Sequence, residues 1–327
     1  METIHLRHPY QSTAHLDSPI VVALGFFDGV HLGHIGVLEN AKRLAEQQGA
    51  QLGIMTFYPH PKEVLGKQPE AFRYLTPIPE KLSLFEQHGI DKAFIVEFTP
   101  EFASLSKEAF LDEILSPLCV TGVSTGFNFT FGRYATGTPD DLQVLGKNRF
   151  ETVTVPPIMQ QDQPISSSRI RAALSNGEIA LARDMLGRPY RVKGNVIPGD
   201  QRGRLLGFPT ANIRLEQPYY YPKLGVYIVD VWVPDLQLRS FGIMNVGIRP
   251  TFTHTEPDIR IEVHLLVQDL DLYGKELVVD LLHFLREEQR FPSFEHLKTQ
   301  INQDRKTADD WIKQEAQANK QVPFQIY

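Results

Sequence analysis

The period of the apolar residues changes around Gly187-Arg188-Pro189, and no other feature constrains the fold of this chain as tightly. Upstream, Ile20-Val21-Val22-Ala23-Leu24 is a continuous apolar run ending at Gly25, the pattern of a strand buried on both faces. A Gly-rich turn follows, then a helix that opens at about His34, carries Val37, Leu38, Ala41, Leu44 and Ala45 on one face and stops at Gly49. The alternation continues with a strand at 52–57, a helix near 79–88, a strand at 93–98 and a helix near 107–115. A strand leading to Gly126, another at 153–155 and two short helices at 168–175 and 179–186 complete it. Such alternation predicts a Rossmann-like parallel sheet with helices on both faces, and ligands at the carboxyl ends of its strands. Downstream, residues 227–233, 259–266 and 277–284 alternate in twos between Gly/Pro clusters, as antiparallel strands do. A closing helix at about 293–317 has Leu297, Ile301, Ala308 and Ile312 at helical spacing. The expected fold is therefore α/β over residues 1–186 and mainly β with a closing helix over 187–327. A chain of 327 residues is long enough for two cores.

Charge narrows the function. The net charge of −6 falls wholly within the first 184 residues, so no bulk positive field exists to hold a nucleic acid by counterion release. The single cysteine, Cys119, rules out a disulfide framework and a cysteine metal site. Its neighbours Leu118 and Val120 predict a core position with no chemical part. No signal-like leader and no apolar run of about 18 residues occurs, so a cytoplasmic protein without a membrane partner is expected. Asn128-Phe129-Thr130 matches the glycosylation pattern by accident on that reading. Small molecules are the expected partners, and a homo-oligomer is left open.

The run Gly25-Phe26-Phe27-Asp28-Gly29-Val30-His31-Leu32-Gly33-His34 follows the first strand. Its glycines match neither the dinucleotide fingerprint nor the Lys-terminated phosphate loop. Two imidazoles at a helix N-terminus, with Gly33 allowing close backbone approach, suit a triphosphate and the charge that develops as its α-phosphorus is attacked. A His-x-x-His pair also suits a metal, although no third or fourth ligand lies nearby in sequence. Near the end of the domain, Ile165-Ser166-Ser167-Ser168-Arg169-Ile170-Arg171 places three hydroxyls and two arginines at another helix start, which is an anion site or a plain serine cap with solvated arginines.

The first run resembles the His-x-Gly-His signature of the cytidylyltransferase-like nucleotidyltransferases, and specifically of the bacterial bifunctional riboflavin kinase/FAD synthetases. The serine/arginine run resembles that superfamily's second signature. This resemblance implies that His31 and His34 are catalytic in moving AMP from ATP to FMN. It further implies that Gly25, Phe27, Asp28, Gly33, Ser166, Ser167, Ser168, Arg169 and Arg171 bind ATP. Two aromatic and proline-rich segments after strands, Thr56-Phe57-Tyr58-Pro59-His60-Pro61 and Gly126-Phe127-Asn128-Phe129-Thr130-Phe131-Gly132, offer flat apolar faces. By resemblance Pro59, Pro61 and Asn128 hold the isoalloxazine of FMN.

The most specific string is Gly194-Asn195-Val196-Ile197-Pro198-Gly199-Asp200-Gln201-Arg202-Gly203-Arg204-Leu205-Leu206-Gly207-Phe208-Pro209-Thr210-Ala211-Asn212. Its glycines permit a loop whose N–H groups wrap phosphates, and Thr210 and Asn212 offer two oxygens suited to Mg²⁺ shared with a nucleotide. The string resembles the riboflavin kinase signature with its Pro-Thr-Ala-Asn core intact. The family often has His where this chain has Pro198. The resemblance implies ATP binding by Gly199, Asp200, Arg202, Gly203, Arg204 and Gly207, Mg²⁺ binding by Thr210 and Asn212, and a catalytic base at Glu262. The segments 245–252 and 271–275 also resemble family segments around this site. The resemblance thus implies a Rossmann-like nucleotidyltransferase domain followed by an antiparallel β-barrel kinase domain, in an enzyme that makes FMN from riboflavin and FAD from FMN. A flavin-responsive binding protein without turnover and a tRNA-charging enzyme with the same histidine logic are the rival readings.

Overall fold

In the computed structural model, the described residues are 1–9, 18–66, 72–199, 208–249, 258–267 and 270–318. Two compact units divide them. The first comprises Met1–Ile170 with Met185–Gly187, and the second Arg171–Asp184 with Arg188–Tyr327.

The first unit is built on a six-stranded parallel sheet in the order β1-β4-β3-β2-β5-β6. The strands are β1 (Glu2–Leu6), β2 (Ile20–Leu24), β3 (Gln51–Tyr58), β4 (Lys92–Glu97), β5 (Val120–Gly126) and β6 (Glu151–Val155). All five residues of the central β2 are buried, which is why it reads as an unbroken apolar run. Helices α1 (Leu32–Gln48), α2 (Pro61–Leu65), α3 (Ile78–Gln87), α4 (Pro100–Ala103), α5 (Lys107–Ala109) and α6 (Pro139–Gly146) connect the strands, and α5 runs on as a π-helical stretch, Phe110–Leu115. Two clusters line the sheet. One holds Val22, Leu24, Phe57, Phe94, Phe102 and Phe110, and the other Val21, Ala23, Val37, Leu38, Leu44, Ile54 and Phe85. Because β3 and β4 lie to one side of β2 and β5 to the other, the chain reverses its direction of travel at the carboxyl end of β2.

Three features differ from expectation in this unit. Helix α1 begins at Leu32 rather than His34, because His31 is extended (φ −79°, ψ 172°) and caps the helix with its own ring. Strand β1 has no legible pattern, since it is a sheet edge with only Leu6 buried among its five residues. Cys119 is exposed, not core: it takes φ 51° at the end of a 3₁₀ turn, which directs it outward between buried Leu118 and Val120.

After β6 come a small hairpin, β7 (Met159–Gln160) with β8 (Gln163–Pro164), and helices α7 (Ser167–Asn176) and α8 (Ile179–Leu186). The second unit is a closed barrel of six antiparallel strands, ordered β10-β13-β12-β11-β14-β9. They are β9 (Tyr190–Ile197), β10 (Ala211–Leu215), β11 (Gly225–Val233), β12 (Leu238–Arg249), β13 (Asp258–Leu265) and β14 (Glu276–Arg286). Alternate residues of β13 (Ile261, Val263, Leu265) are buried, as an antiparallel wall with one inward face requires. Helix α9 (Phe294–Ala318) is tied to β14 by Arg286, whose guanidinium donates to both oxygens of the buried Asp304, and by His283 stacked on Trp311. Among the described residues no helix is long and apolar enough to cross a membrane.

Candidate active sites

Residues 25–31 carry the chain from β2 to α1 at the sheet's reversal point. This loop is strained: Phe27, Gly29 and Val30 all have positive φ (52°, 92° and 40°). Side chains from outside the loop hold it. The Phe26 carbonyl accepts from the Thr56 hydroxyl at 2.9 Å and from the Lys81 ammonium at 2.8 Å. The buried Asp28 carboxylate accepts the N–H groups of Leu75 and Thr76 at 3.3 and 3.1 Å. Phe27 packs edge-on against both His34 and Phe85.

His31 is buried, and its Nδ1 accepts the His34 backbone N–H at 3.3 Å. That bond makes Nδ1 the acceptor, so the tautomer carries its proton on Nε2. The His34 ring stacks on His31 with centroids 3.6 Å apart and planes 15° apart. A Cβ at Gly33 would lie 3.1 Å from the His31 ring, so glycine lets the two imidazoles sit this close to the backbone. Two ring N–H donors beside the first turn of a helix can stabilise charge developing on a phosphate.

The serine/arginine run meets this loop directly. The Ser167 hydroxyl donates to the Asp28 carbonyl at 2.7 Å, across 139 residues of sequence. Ser166 caps α7 by accepting the Arg169 N–H, and Ser168 is exposed. The two arginines are placed differently. The Arg169 guanidinium donates to the carbonyls of Gln160, Gln163 and Pro164 and so braces the β7–β8 hairpin. Arg171 belongs to the second unit, where its guanidinium lies 5.5 Å over the Tyr220 ring.

The segments read as flavin-facing follow β3 and β5, the strands flanking β2, so they open at the same sheet edge. Pro61 starts α2 under a His60 and Glu63 capping box, Pro59 precedes it, and the His60 ring stacks on Phe72 at 3.9 Å. The Tyr74 hydroxyl accepts the His60 N–H at 2.9 Å and donates to Glu63. Asn128 is exposed beyond the end of β5.

In the barrel, register places Asn212 of β10 opposite Glu262 of β13, and Glu262 opposite Asn245 of β12. These three polar side chains form a row across adjacent strands. Arg260 Nε donates to Asn212 Oδ1 at 2.6 Å and lies 2.8 Å from Glu262 Oε1. A Cβ on Gly199 would fall 2.0 Å from Asn212 Nδ2, so glycine lets the backbone pass here without moving the carboxamide. Thr210 is exposed just before β10, and the Pro209 carbonyl accepts from His264 Nδ1 at 2.8 Å. Burial holds the His264 imidazolium below the usual range, against the pull of that hydrogen bond. Asp200, Arg202, Gly203, Arg204 and Gly207 lie outside the described residues.

Among the described residues no group of three or more His, Cys, Asp or Glu could hold a metal ion by itself. The neutral oxygens of Thr210 and Asn212 fit Mg²⁺ only where nucleotide phosphates supply the remaining charge, which is its usual mode in kinases.

Sequence reading missed two residues at these sites. Lys81 is a charged residue at helical spacing from the buried Phe85, an anomaly on an apolar face. Arg260 stands two residues from Glu262 on a strand and hence on its face, a signal available from alternation alone. Asn245 opens the segment 245–252 that resembles a family segment around this site, and the register adds its pairing with Glu262.

Residues 13–169 match the family model described as FAD synthetase, and residues 186–312 the one described as riboflavin kinase. A curated relative from Bacillus subtilis, named bifunctional riboflavin kinase/FMN adenylyltransferase, is 41% identical over 94% of this chain and 97% of its own. One of the same name from Escherichia coli is 35% identical over 89% of this chain and 92% of its own. A crystal structure described as a macrolide-efflux protein from Streptococcus pneumoniae matches with a TM-score of 0.86 at 30% identity, covering 94% of this chain and 99% of that one.

Proposed function

Since the chain belongs to the bifunctional riboflavin kinase/FMN adenylyltransferase family, we propose residue roles for its two reactions. The C-terminal domain is a riboflavin kinase and the N-terminal domain an FAD synthetase. The proposed division puts adenylyl transfer in residues 1–186 and kinase chemistry in 187–327.

In the kinase reaction, the primary hydroxyl of riboflavin's ribityl chain attacks the γ-phosphorus of ATP, and ADP leaves. Glu262 is the base that orients and takes the hydroxyl proton. Asn212 and Thr210 would hold Mg²⁺ together with the nucleotide phosphates, and Gly199, Asp200, Arg202, Gly203, Arg204 and Gly207 would wrap those phosphates. Bound there, Mg²⁺ would neutralise charge on the transferring phosphoryl group. The observation that carries this reading is the register that sets Glu262 opposite Asn212.

In the adenylyl transfer, a phosphate oxygen of FMN attacks the α-phosphorus of a second ATP, and pyrophosphate leaves. His31 and His34 stabilise the charge that builds on the phosphate oxygens. Gly25, Phe27, Asp28, Gly33, Ser166, Ser167, Ser168, Arg169 and Arg171 form the ATP site, with Pro59, Pro61 and Asn128 on the flavin side. The Ser167 to Asp28 hydrogen bond supports a single site built from both motifs. Arg169 would have to release its hairpin carbonyls to reach a phosphate.

The partners under this reading are small molecules in the cytoplasm, without nucleic acid or membrane, for a monomer or a homo-oligomer. Incubating the chain with riboflavin, ATP and Mg²⁺ and separating the products by chromatography tests the whole scheme. FMN and FAD should both accumulate, and FMN supplied alone with ATP should give FAD. Flavin binding without either product would overturn it.

A further inference from the structure

Lys81 is 1% exposed, and its ammonium sits behind the loop that precedes the two histidines. It donates to the Phe26 carbonyl at 2.8 Å and stands 3.5 Å from the Thr56 hydroxyl, itself fully buried. Asp28, 4% exposed, is the charged group acting on it from the loop, and its own carboxylate is committed to the N–H groups of Leu75 and Thr76. Thr56 from β3 and the Phe26 carbonyl offer it neutral acceptors. Burying an ammonium is costly, and a methionine or leucine would fill the same place beside Phe85 without that penalty. What a cation adds there is a field.

That field acts on one peptide. Phe26 and Phe27 share a planar amide, so an ammonium on the carbonyl side leaves the Phe27 N–H pointing to the opposite face of the loop. Cation binding at the oxygen polarises the amide and strengthens the N–H as a donor. Phe27 itself has φ 52°, a conformation that must be held from outside.

We infer that Lys81 is a positioning residue for adenylyl transfer: from behind the loop it fixes the Phe26 to Phe27 peptide and aims its N–H, with an unscreened positive charge, at the phosphates of ATP. This rests on the reading that residues 25–34 hold that nucleotide. In the transfer, a bond forms between an FMN phosphate oxygen and the α-phosphorus, and the bond to the bridging oxygen breaks with both its electrons leaving on pyrophosphate. Lys81 moves no proton in this step. It stabilises the growing negative charge through the amide.

Burial lowers the Lys81 pKa to about 8, Asp28 opposing that effect. The charge is therefore lost just above neutrality, which gives the role a readout. FAD formation from supplied FMN should show a kcat that declines above about pH 8 in the wild-type chain. In K81R, whose guanidinium stays charged, the decline should vanish. Stability moves the other way: between pH 8 and the ordinary lysine range the unfolded chain holds the extra proton, so this group's contribution to stability rises with pH. Lost activity with unchanged or raised melting temperature therefore separates the field from the scaffold.

The experiment compares wild type, K81R and K81M in FMN-to-FAD turnover across pH, with FMN affinity by fluorescence quenching and FMN formation in the same tube as controls. K81M should lose about 10²-fold in kcat while FMN affinity stays within a few-fold, and K81R should recover most of the loss. If K81M does not fold, wild type against K81R across pH decides alone. Wild-type kcat in K81M, an equal loss of FMN affinity and kcat, or an alkaline decline that persists in K81R overturns the inference. A wild-type chain that forms no FAD overturns the underlying reading instead.

Discussion

Asn212 and Glu262 face each other across β10 and β13, and the Arg260 guanidinium holds a side-chain oxygen of each, at 2.6 and 2.8 Å. Two oxygens thus converge on one positive charge in the wall of the barrel, where the proposed kinase mechanism puts a metal ligand and a base. Glu262→Gln keeps the shape and removes the proposed base. Its kcat for FMN formation should fall about 10² to 10⁴-fold, with FAD formation from supplied FMN unchanged. Asn212→Ala should instead raise the Mg²⁺ concentration needed for half-maximal kinase rate. Steady-state kinetics with riboflavin and with FMN check both, and full turnover in Glu262→Gln would remove the base assignment.

Gly199 tests the same site by sterics. The Cβ of an alanine there would lie 2.0 Å from Asn212 Nδ2 and 2.5 Å from its Cγ, so the carboxamide must leave its observed place. A displacement of about 1 Å at a reacting site costs about 10²-fold. Gly199→Ala should therefore lower kinase kcat by about that factor and leave adenylyl transfer at the wild-type rate. A kinase rate within two-fold of wild type would show that Asn212 is not needed in its observed place.

The parallel sheet and the antiparallel strands were legible from periodicity, because buried parallel strands are unbroken apolar runs and strands with one buried face alternate, while closure into a barrel was implied only by the family resemblance. The motif strings located β2, α1, α7 and the loop before β10. Their mutual placement was not legible: nothing local to Ser167 announces a bond to Asp28, and nothing local to Arg260 announces its bond to Asn212. Helix α1 begins earlier than its apolar face suggests because a histidine serves as its cap, a role more usual for Ser, Thr, Asp or Asn. Cys119 misled because apolar neighbours imply burial only in a regular element, and its left-handed turn breaks that inference. Arg169 reads as a phosphate grip by type, yet its donors are taken by three carbonyls whose positions only the folded chain sets.

The stacked pair His31 and His34 and the hydroxyl of Ser167 differ in what they should cost when removed. Either His31→Ala or His34→Ala should abolish measurable FAD formation, since each removes a donor that the proposed mechanism sets against developing charge, while FMN formation persists. Ser167→Ala loses one hydrogen bond to a backbone carbonyl, worth about 1 kcal/mol, so kcat/KM for ATP in adenylyl transfer should fall about five-fold. Product chromatography with FMN and ATP reads all three. A histidine variant that loses both activities while remaining folded would contradict separate sites.

Acid should weaken the barrel before the carboxylates titrate. Burial holds both His264 and His283 below the usual imidazole range, Arg305 adding to the effect at His264 and Glu315 opposing it at His283. His264 Nε2 is buried with no hydrogen-bond partner among the described residues, so protonating it in the folded state places a charge where nothing accepts it. The unfolded chain takes up these protons near pH 6.5, ahead of the folded chain, so stability is full above that value and falls as pH drops through it. Both tryptophans, Trp232 and Trp311, belong to the second unit, so urea unfolding followed by tryptophan fluorescence reads that unit. The midpoint should decrease from pH 7.5 to 5.5, and His264→Asn, which keeps an N–H for the Pro209 carbonyl without titrating, should flatten that slope. An unchanged slope in this variant would assign the acid sensitivity to other groups.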